Sequence, residues 1–212
     1  MSERSPITSQ DIWDAAELVE ASLNKLDPQL WERDAYGLNW TRARTVSHIG
    51  DALAFYSKSL ASRFQENPGS RGLQYSEGTQ SQAAHQLEFG AAILSRVVEA
   101  TPSDVRAFHP SGMPDGEGFL GMGCIEILLH GYDAIYGTEA EFDPSDELCS
   151  RILQRMFPWA PTEPPPWPTL LWATGRAELE GQEFLGETWI WHSDLLEEWE
   201  GGIPNSQMWL GR

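Results

Sequence analysis

Residues 118–137 read GFLGMGCIEILLHGYDAIYG, and this helix-length segment is apolar on most sides. Such a pattern is typical of a helix buried among neighbouring helices, and Gly137 is a natural residue to end it. Glu126 and His130 are ionisable side chains inside this apolar run. Because they are four residues apart, they are predicted to lie one turn apart on the same face of the helix.

Three earlier segments repeat apolar residues every three to four positions, the periodicity of an amphipathic helix. They predict helices over residues 9–23, about 45–64 and about 84–98. Together with the segment at 118–137 they make four main helices of bundle length. The sequence therefore predicts a mainly α protein, with a four-helix bundle over residues 1–142.

Residues 143–212 are predicted to form a small C-terminal α+β appendage that packs on the bundle. A fifth helix is expected between Pro144 and Pro158, and a short sixth one at TLLWATGR, residues 169–176, after the proline segment PTEPPPWP. The segments AELEG and ETWIWHS alternate apolar and polar residues, which predicts two short strands at 177–181 and 187–193. Seven of the ten tryptophans lie in this part, and we expect them to join it to the bundle or to a second subunit.

The composition limits the function classes. A chain of 212 residues with 41% apolar residues can bury a core, and its formal net charge of −18 disfavours nucleic acids and acidic membrane surfaces as partners. We find no signal-peptide pattern and no uncharged apolar run long enough to span a membrane, so a cytoplasmic protein is expected. Cys124 and Cys149 fall in helical apolar patterns and are predicted to be buried free thiols.

Glu126 and His130 need a partner, because an unpaired carboxylate and imidazole inside an apolar helix would cost several kcal/mol. A divalent metal is an efficient partner for this pair. His48 lies beside Val46 and Ile49 on the second predicted helix, so it is also expected to point into the bundle. His48, Glu126 and His130 are thus candidate metal ligands, and three protein ligands leave a position open for water or substrate. The residues alone leave a hydrogen-bonded core cluster open as the alternative.

Two aspartates are candidates for supporting the histidines. Asp133 follows His130 by three residues, and Asp51 follows His48 by three. Each carboxylate could accept the second imidazole N–H and fix the tautomer that binds the metal. The alternative is that each is a solvated acid on a helix face.

Arg44 and Arg176 are candidates for binding an anionic substrate, since the guanidinium group suits carboxylates. For both, an ion pair within the protein is the alternative. Of the other histidines, His109 is expected in a loop before the fourth helix and His85 on a helix surface.

Several motifs resemble one protein family. Trp40-Thr41 ahead of the helix with His48, the segment at 118–137, PWPTLLWATGRAEL and the closing WIWH are similar to the DinB-like superfamily, in its mycothiol-dependent maleylpyruvate isomerase branch. The resemblance implies a DinB-like four-helix bundle that carries a divalent metal, commonly zinc. In that family the ligands are one histidine of the second helix and a Glu-x-x-x-His pair of the fourth, which correspond to His48, Glu126 and His130.

The resemblance also implies a function. Members of this branch bind a small thiol, mycothiol, at the open metal position as a thiolate that attacks a small electrophile, in an isomerase or an S-transferase reaction. We therefore expect mycothiol or another small thiol as cosubstrate, a small-molecule substrate, and zinc as the metal, while iron or nickel would also suit the ligands. The alternatives are a metal hydrolase that uses metal-bound water, a noncatalytic metal- or ligand-binding module, and a metal-free structural protein. A homodimer is left open.

Overall fold

A computed structural model of the protein describes residues 4–68 and 80–203. Within these residues the chain forms six α-helices: α1 (Ser9–Leu23), α2 (Arg42–Ser62), α3 (Gln80–Glu99), α4 (Gly116–Ile135), α5 (Asp146–Met156) and α6 (Pro166–Ala173). The described part of the chain contains no strand, only isolated bridges and short 3-10 turns. The predicted mainly α fold class is confirmed. None of the described helices is both long and apolar enough to cross a membrane.

Helix α4 lies at the centre of the bundle. It packs against α1, α2 and α3, and it also contacts α5, which in turn packs against α6. Most of its residues are buried, among them Phe119, Met122 and Leu128. This explains why the α4 segment lacks a polar face: neighbours cover it on nearly every side.

Glycines in α4 allow its neighbours to approach closely. A Cβ atom at Gly131 would lie 2.5 Å from Val19 Cγ2 on α1, and a Cβ atom at Gly123 would lie 2.9 Å from both Ile12 and Leu94. A Cβ atom cannot be added at either position unless a helix or a side chain moves. The backbone of α4 therefore packs directly against α1 and α3, which fixes the positions of its polar side chains in the bundle.

The helix boundaries differ from the sequence-based prediction by a few residues, and the starts of α2 and α6 have clear local causes. Helix α2 begins at Arg42, three residues earlier than expected, because the Thr41 hydroxyl accepts a hydrogen bond from the backbone N–H of Arg44 at 3.1 Å and caps the helix. Helix α6 begins at Pro166, inside the proline segment, because proline is tolerated in the first turn of a helix.

The prediction of two strands at 177–181 and 187–193 is wrong. Both segments are irregular, apart from a 3-10 turn that includes Thr188. Ile190 and Trp191 are buried one after the other rather than alternately, and the backbone N–H of His192 donates to Met156 O at the end of α5, at 2.8 Å. The apolar residues of this segment thus pack onto helices. Within the described residues no neighbouring strand is present to form a sheet with the segment.

A buried arginine fastens this irregular segment to the bundle. The side chain of Arg155 on α5 is 1% exposed, and its guanidinium donates to the carboxylate of Asp115 at 3.0 Å. It also donates to the backbone carbonyls of His192 and Ser193, each at 3.4 Å. Asp115 itself caps α4, so one side chain joins α5, the start of α4 and the C-terminal segment.

Both cysteines are buried free thiols, as predicted. Burial raises the pKa of Cys149 to about 12 and raises that of Cys124 as well. Both thiols are therefore protonated at neutral pH, which is consistent with a packing role.

Substitution of Gly131 by alanine tests the close packing of α1 on α4. In an exposed helix, replacing glycine by alanine would stabilise the protein by up to about 1 kcal/mol. Here the clash with Val19 predicts a loss of about 1–3 kcal/mol in the free energy of unfolding, measured by urea denaturation. The double variant Val19→Ala/Gly131→Ala should lose less than the sum of the two single variants, because the clash is removed. A Gly131→Ala variant more stable than the parent would contradict the packing.

Candidate metal centre

Three potential ligands converge between α2 and α4. His48 extends from α2, and Glu126 and His130 extend from α4. Glu126 Oε2 lies 3.3 Å from His130 Nε2 and 3.7 Å from His48 Nε2. The three ligand atoms all lie within 4.8 Å of one another. The fold thus brings together the three residues that helical spacing singled out.

The donor set fits a divalent cation. Ligand atoms placed about 2.1 Å from a tetrahedral zinc ion are separated from one another by about 3.4 Å, close to both distances measured from the Glu126 oxygen. One carboxylate and two imidazoles are ligands that zinc, iron and nickel accept. The side chains of Glu126, His130 and His48 are 12, 15 and 29% exposed, so small molecules can still reach them.

Tyr56 holds the other oxygen of the candidate carboxylate ligand. Its hydroxyl donates to Glu126 Oε1 at 2.9 Å, so that Oε2 alone faces the two histidines. Burial alone would raise the pKa of Glu126, but hydrogen bonds from His130 and Tyr56 and the charges of both histidines lower it to about 2. The carboxylate is therefore ionised, as a metal ligand must be.

Tyr56 is not among the site residues predicted from the sequence. Its position did carry a signal, because Tyr56 follows His48 by eight residues, slightly more than two helical turns. A tyrosine buried in the bundle near such a histidine needs a hydrogen-bond partner for its hydroxyl.

Asp133 and Arg176 form a chain of polar contacts behind His130. His130 Nδ1 donates to Asp133 Oδ2 at 3.1 Å, and since a carboxylate only accepts, this contact places a proton on Nδ1 and leaves Nε2 to face Glu126. Arg176 donates to both Asp133 oxygens, at 2.9 Å and 2.7 Å. Burial lowers the pKa of His130, but Asp133 and Glu126 raise it to about 9. Because the Arg176 guanidinium donates to both oxygens of Asp133, it is engaged in an ion pair inside the protein.

Arg44 and Asp51 face each other at the more exposed side of the site. The closest nitrogen and oxygen of the pair are 3.6 Å apart, and the Arg44 guanidinium lies 5.5 Å from the ring centroid of Trp40. The Trp40 ring is 37% exposed, and its centroid lies 5.0 Å from that of His48. Burial lowers the pKa of His48, whereas the charges of Glu126 and Asp51 act in the opposite direction. Trp40 and Arg44 therefore form the rim beside His48.

His109 lies in the predicted loop but is buried. The backbone N–H of Ser111 donates to its Nδ1 at 3.1 Å, so the neutral ring carries its proton on Nε2. Burial lowers the pKa of His109 to about 4. Its ring centroid lies 5.5 Å from that of Tyr56, in an edge-on arrangement. His85, by contrast, is exposed on α3 as expected.

Metal analysis of protein purified without chelators or a metal-affinity tag tests the candidate ligands. We expect about one equivalent of divalent metal in the parent and little in the His48→Ala and Glu126→Ala variants, because each variant loses one of the three candidate ligands. The matched control is His85→Ala, which removes an exposed histidine and should keep the parent's metal content. Equal metal content in the parent and in His48→Ala would show that this residue is not a ligand.

Comparison with known proteins identifies the fold but no sequence family. No protein-family profile matches the chain, and no curated protein matches it by sequence. Two solved structures match. One is the mycothiol-dependent maleylpyruvate isomerase (TM-score 0.52, 16% identity) and the other is a histidine-to-alanine mutant of such an enzyme (TM-score 0.55, 14% identity). Each match covers 68% of this chain and 65% of the other. The chain therefore shares the helical fold of the branch that its motifs resemble, and the relation is one of fold.

Proposed function

We propose that this protein is a metal-dependent enzyme that uses a small thiol to attack a small electrophile. The proposal depends on one observation: a carboxylate and two imidazole nitrogens meet within 4.8 Å at a partly exposed place in the bundle. Zinc is the expected metal, and iron or nickel are alternatives. A divalent cation bound there would lower the pKa of a coordinating thiol, which makes it a nucleophile at neutral pH.

The protein residues around the site would act by orientation and protonation. The Tyr56 hydroxyl keeps Glu126 Oε1 occupied, which leaves one carboxylate oxygen to bind the cation. Asp133 holds the Nδ1 proton of His130, so Nε2 is the nitrogen that would bind a cation, which would displace the proton there. These contacts fix the ligands before the substrate arrives, which avoids reorganisation during the reaction.

Mycothiol or another small thiol is the proposed cosubstrate. Support comes from the two mycothiol-dependent maleylpyruvate isomerase structures that share the fold. The likeness extends over 65% of their length, so the electrophile is not carried over to this chain. An isomerase would return the thiol after each turnover, whereas a transferase would release a thiol adduct. Transfer is our preferred reaction, because it does not require one particular substrate.

A thiol-consumption assay with zinc-loaded protein tests this function. The protein is incubated with mycothiol and a panel of small conjugated electrophiles, while free thiol and the geometry of the electrophile's double bond are both followed. We expect catalysed thiol consumption, which must disappear in Glu126→Gln because the carboxylate ligand is lost. His85→Ala should react like the parent.

Three outcomes would overturn the proposal of thiol transfer. Isomerised electrophile with no loss of thiol would instead identify an isomerase. Ester or amide turnover that needs metal but no added thiol would identify a hydrolase. Tight thiol binding without any product would identify a noncatalytic binding module.

A further inference from the structure

The irregular C-terminal segment, residues 174–193, approaches the candidate metal centre at two separate places. Arg176 lies near its beginning, and Trp191 lies near its end. Neither residue is a candidate ligand. Each nevertheless begins a chain of polar or ring contacts that ends on one of the ligands.

The first chain leads to His130. The Arg176 guanidinium donates to both oxygens of Asp133, and Asp133 Oδ2 accepts the Nδ1 proton of His130. Arg176 and Asp133 are both largely buried, with side chains 13 and 3% exposed. In such a site the pair is shielded from solvent, and Asp133 without Arg176 would be left as a buried carboxylate with one partner fewer. The orientation of Asp133, and with it that of His130, therefore depends on Arg176.

The second chain leads to the carboxylate ligand. Trp191 Nε1 donates to Ser111 Oγ at 2.9 Å, and the Ser111 hydroxyl lies 2.6 Å from His109 Nδ1. The ring of His109 then packs edge-on against Tyr56, whose hydroxyl holds Glu126 Oε1. The C-terminal segment thus helps to hold Tyr56, whose hydroxyl binds Glu126 Oε1 and leaves Oε2 free.

We infer that metal binding and docking of the C-terminal segment are thermodynamically coupled, with Arg176 as the positioning residue. The inference rests on the metal site of the proposed function and adds to it the part of the chain that completes the site. Removing Arg176 loosens Asp133 and lowers the affinity of the site for metal. Because coupling between two equilibria is reciprocal, a bound metal also stabilises the docked segment.

The affinity of the site for zinc, measured by competition with a coloured chelator, tests the first half of the coupling. Loss of a residue that orients a metal ligand typically weakens metal binding about 10- to 100-fold, and we expect a loss of that size in Arg176→Gln. The matched control is Arg96→Gln, which breaks an exposed ion pair on α3 with Glu99 and should leave zinc affinity unchanged. An Arg176→Gln variant that binds zinc as tightly as the parent would overturn the inference.

A double-variant cycle separates positioning from general destabilisation. If Arg176 acts through Asp133, the double variant Arg176→Gln/Asp133→Asn should bind zinc no more weakly than Asp133→Asn alone. Additive losses would show that Arg176 affects the site by another route and would overturn its assignment as a positioning residue.

Hydrogen exchange of the parent protein tests the second half of the coupling, the stabilisation of the docked segment by bound metal. This test needs no variant. We expect zinc to slow amide exchange in residues 174–193 relative to the metal-free protein, because the bound metal favours the docked state. Unchanged exchange in this segment with zinc bound would overturn the coupling and leave the proposed function intact. A parent protein that binds none of zinc, iron and nickel would instead overturn the proposed function.

Discussion

The burial of one carboxylate, that of Glu126, is the constraint around which the bundle is arranged. Glu126 lies in α4, most of whose residues are buried, and an uncompensated charge there would cost several kcal/mol. Its compensation comes from α2 and α4 together: Tyr56 on one oxygen and the two histidines near the other. The relative position of α2 and α4 is therefore determined by polar contacts as well as by apolar packing. Gly123 contributes to this close approach, since a Cβ atom there would lie only 3.1 Å from Leu53 on α2.

Most of the helical fold could be predicted from the sequence, because helical periodicity is local information. The same geometry placed Glu126 and His130 on one face and pointed His48 into the bundle. The pairing of Arg176 with Asp133 could not be predicted, since 43 residues separate them and the connection includes turns whose course depends on packing. The strand prediction at 187–193 failed for a related reason: the apolar residues there fit helix surfaces, and alternation of residue types does not supply a partner strand.

The arginines show how an acidic chain uses its few cations. In a protein of net charge −18, arginines would be expected to gather where an anionic ligand binds. In the described parts of the chain, several instead join segments that are far apart in sequence, in the pairs Arg4–Glu117, Arg106–Glu198, Arg151–Asp11, Arg155–Asp115 and Arg176–Asp133. Four of these pairs, all except Arg4–Glu117, link a residue of the C-terminal part, 143–212, to a residue before it. Ion pairs thus help to attach the C-terminal part to the rest of the fold.

The site consequently has a fixed side and an open side. Glu126 and His130 are the less exposed ligands, and each has its other polar atom held by a protein group. His48 is more exposed and borders the Trp40 ring, which is itself 37% exposed. On this open side the Arg44 guanidinium lies over the Trp40 ring, 5.5 Å from its centroid. If the protein is the thiol-using enzyme proposed above, differences in substrate choice would be expected at this rim, because Glu126 and His130 are held from the other side by Tyr56 and Asp133.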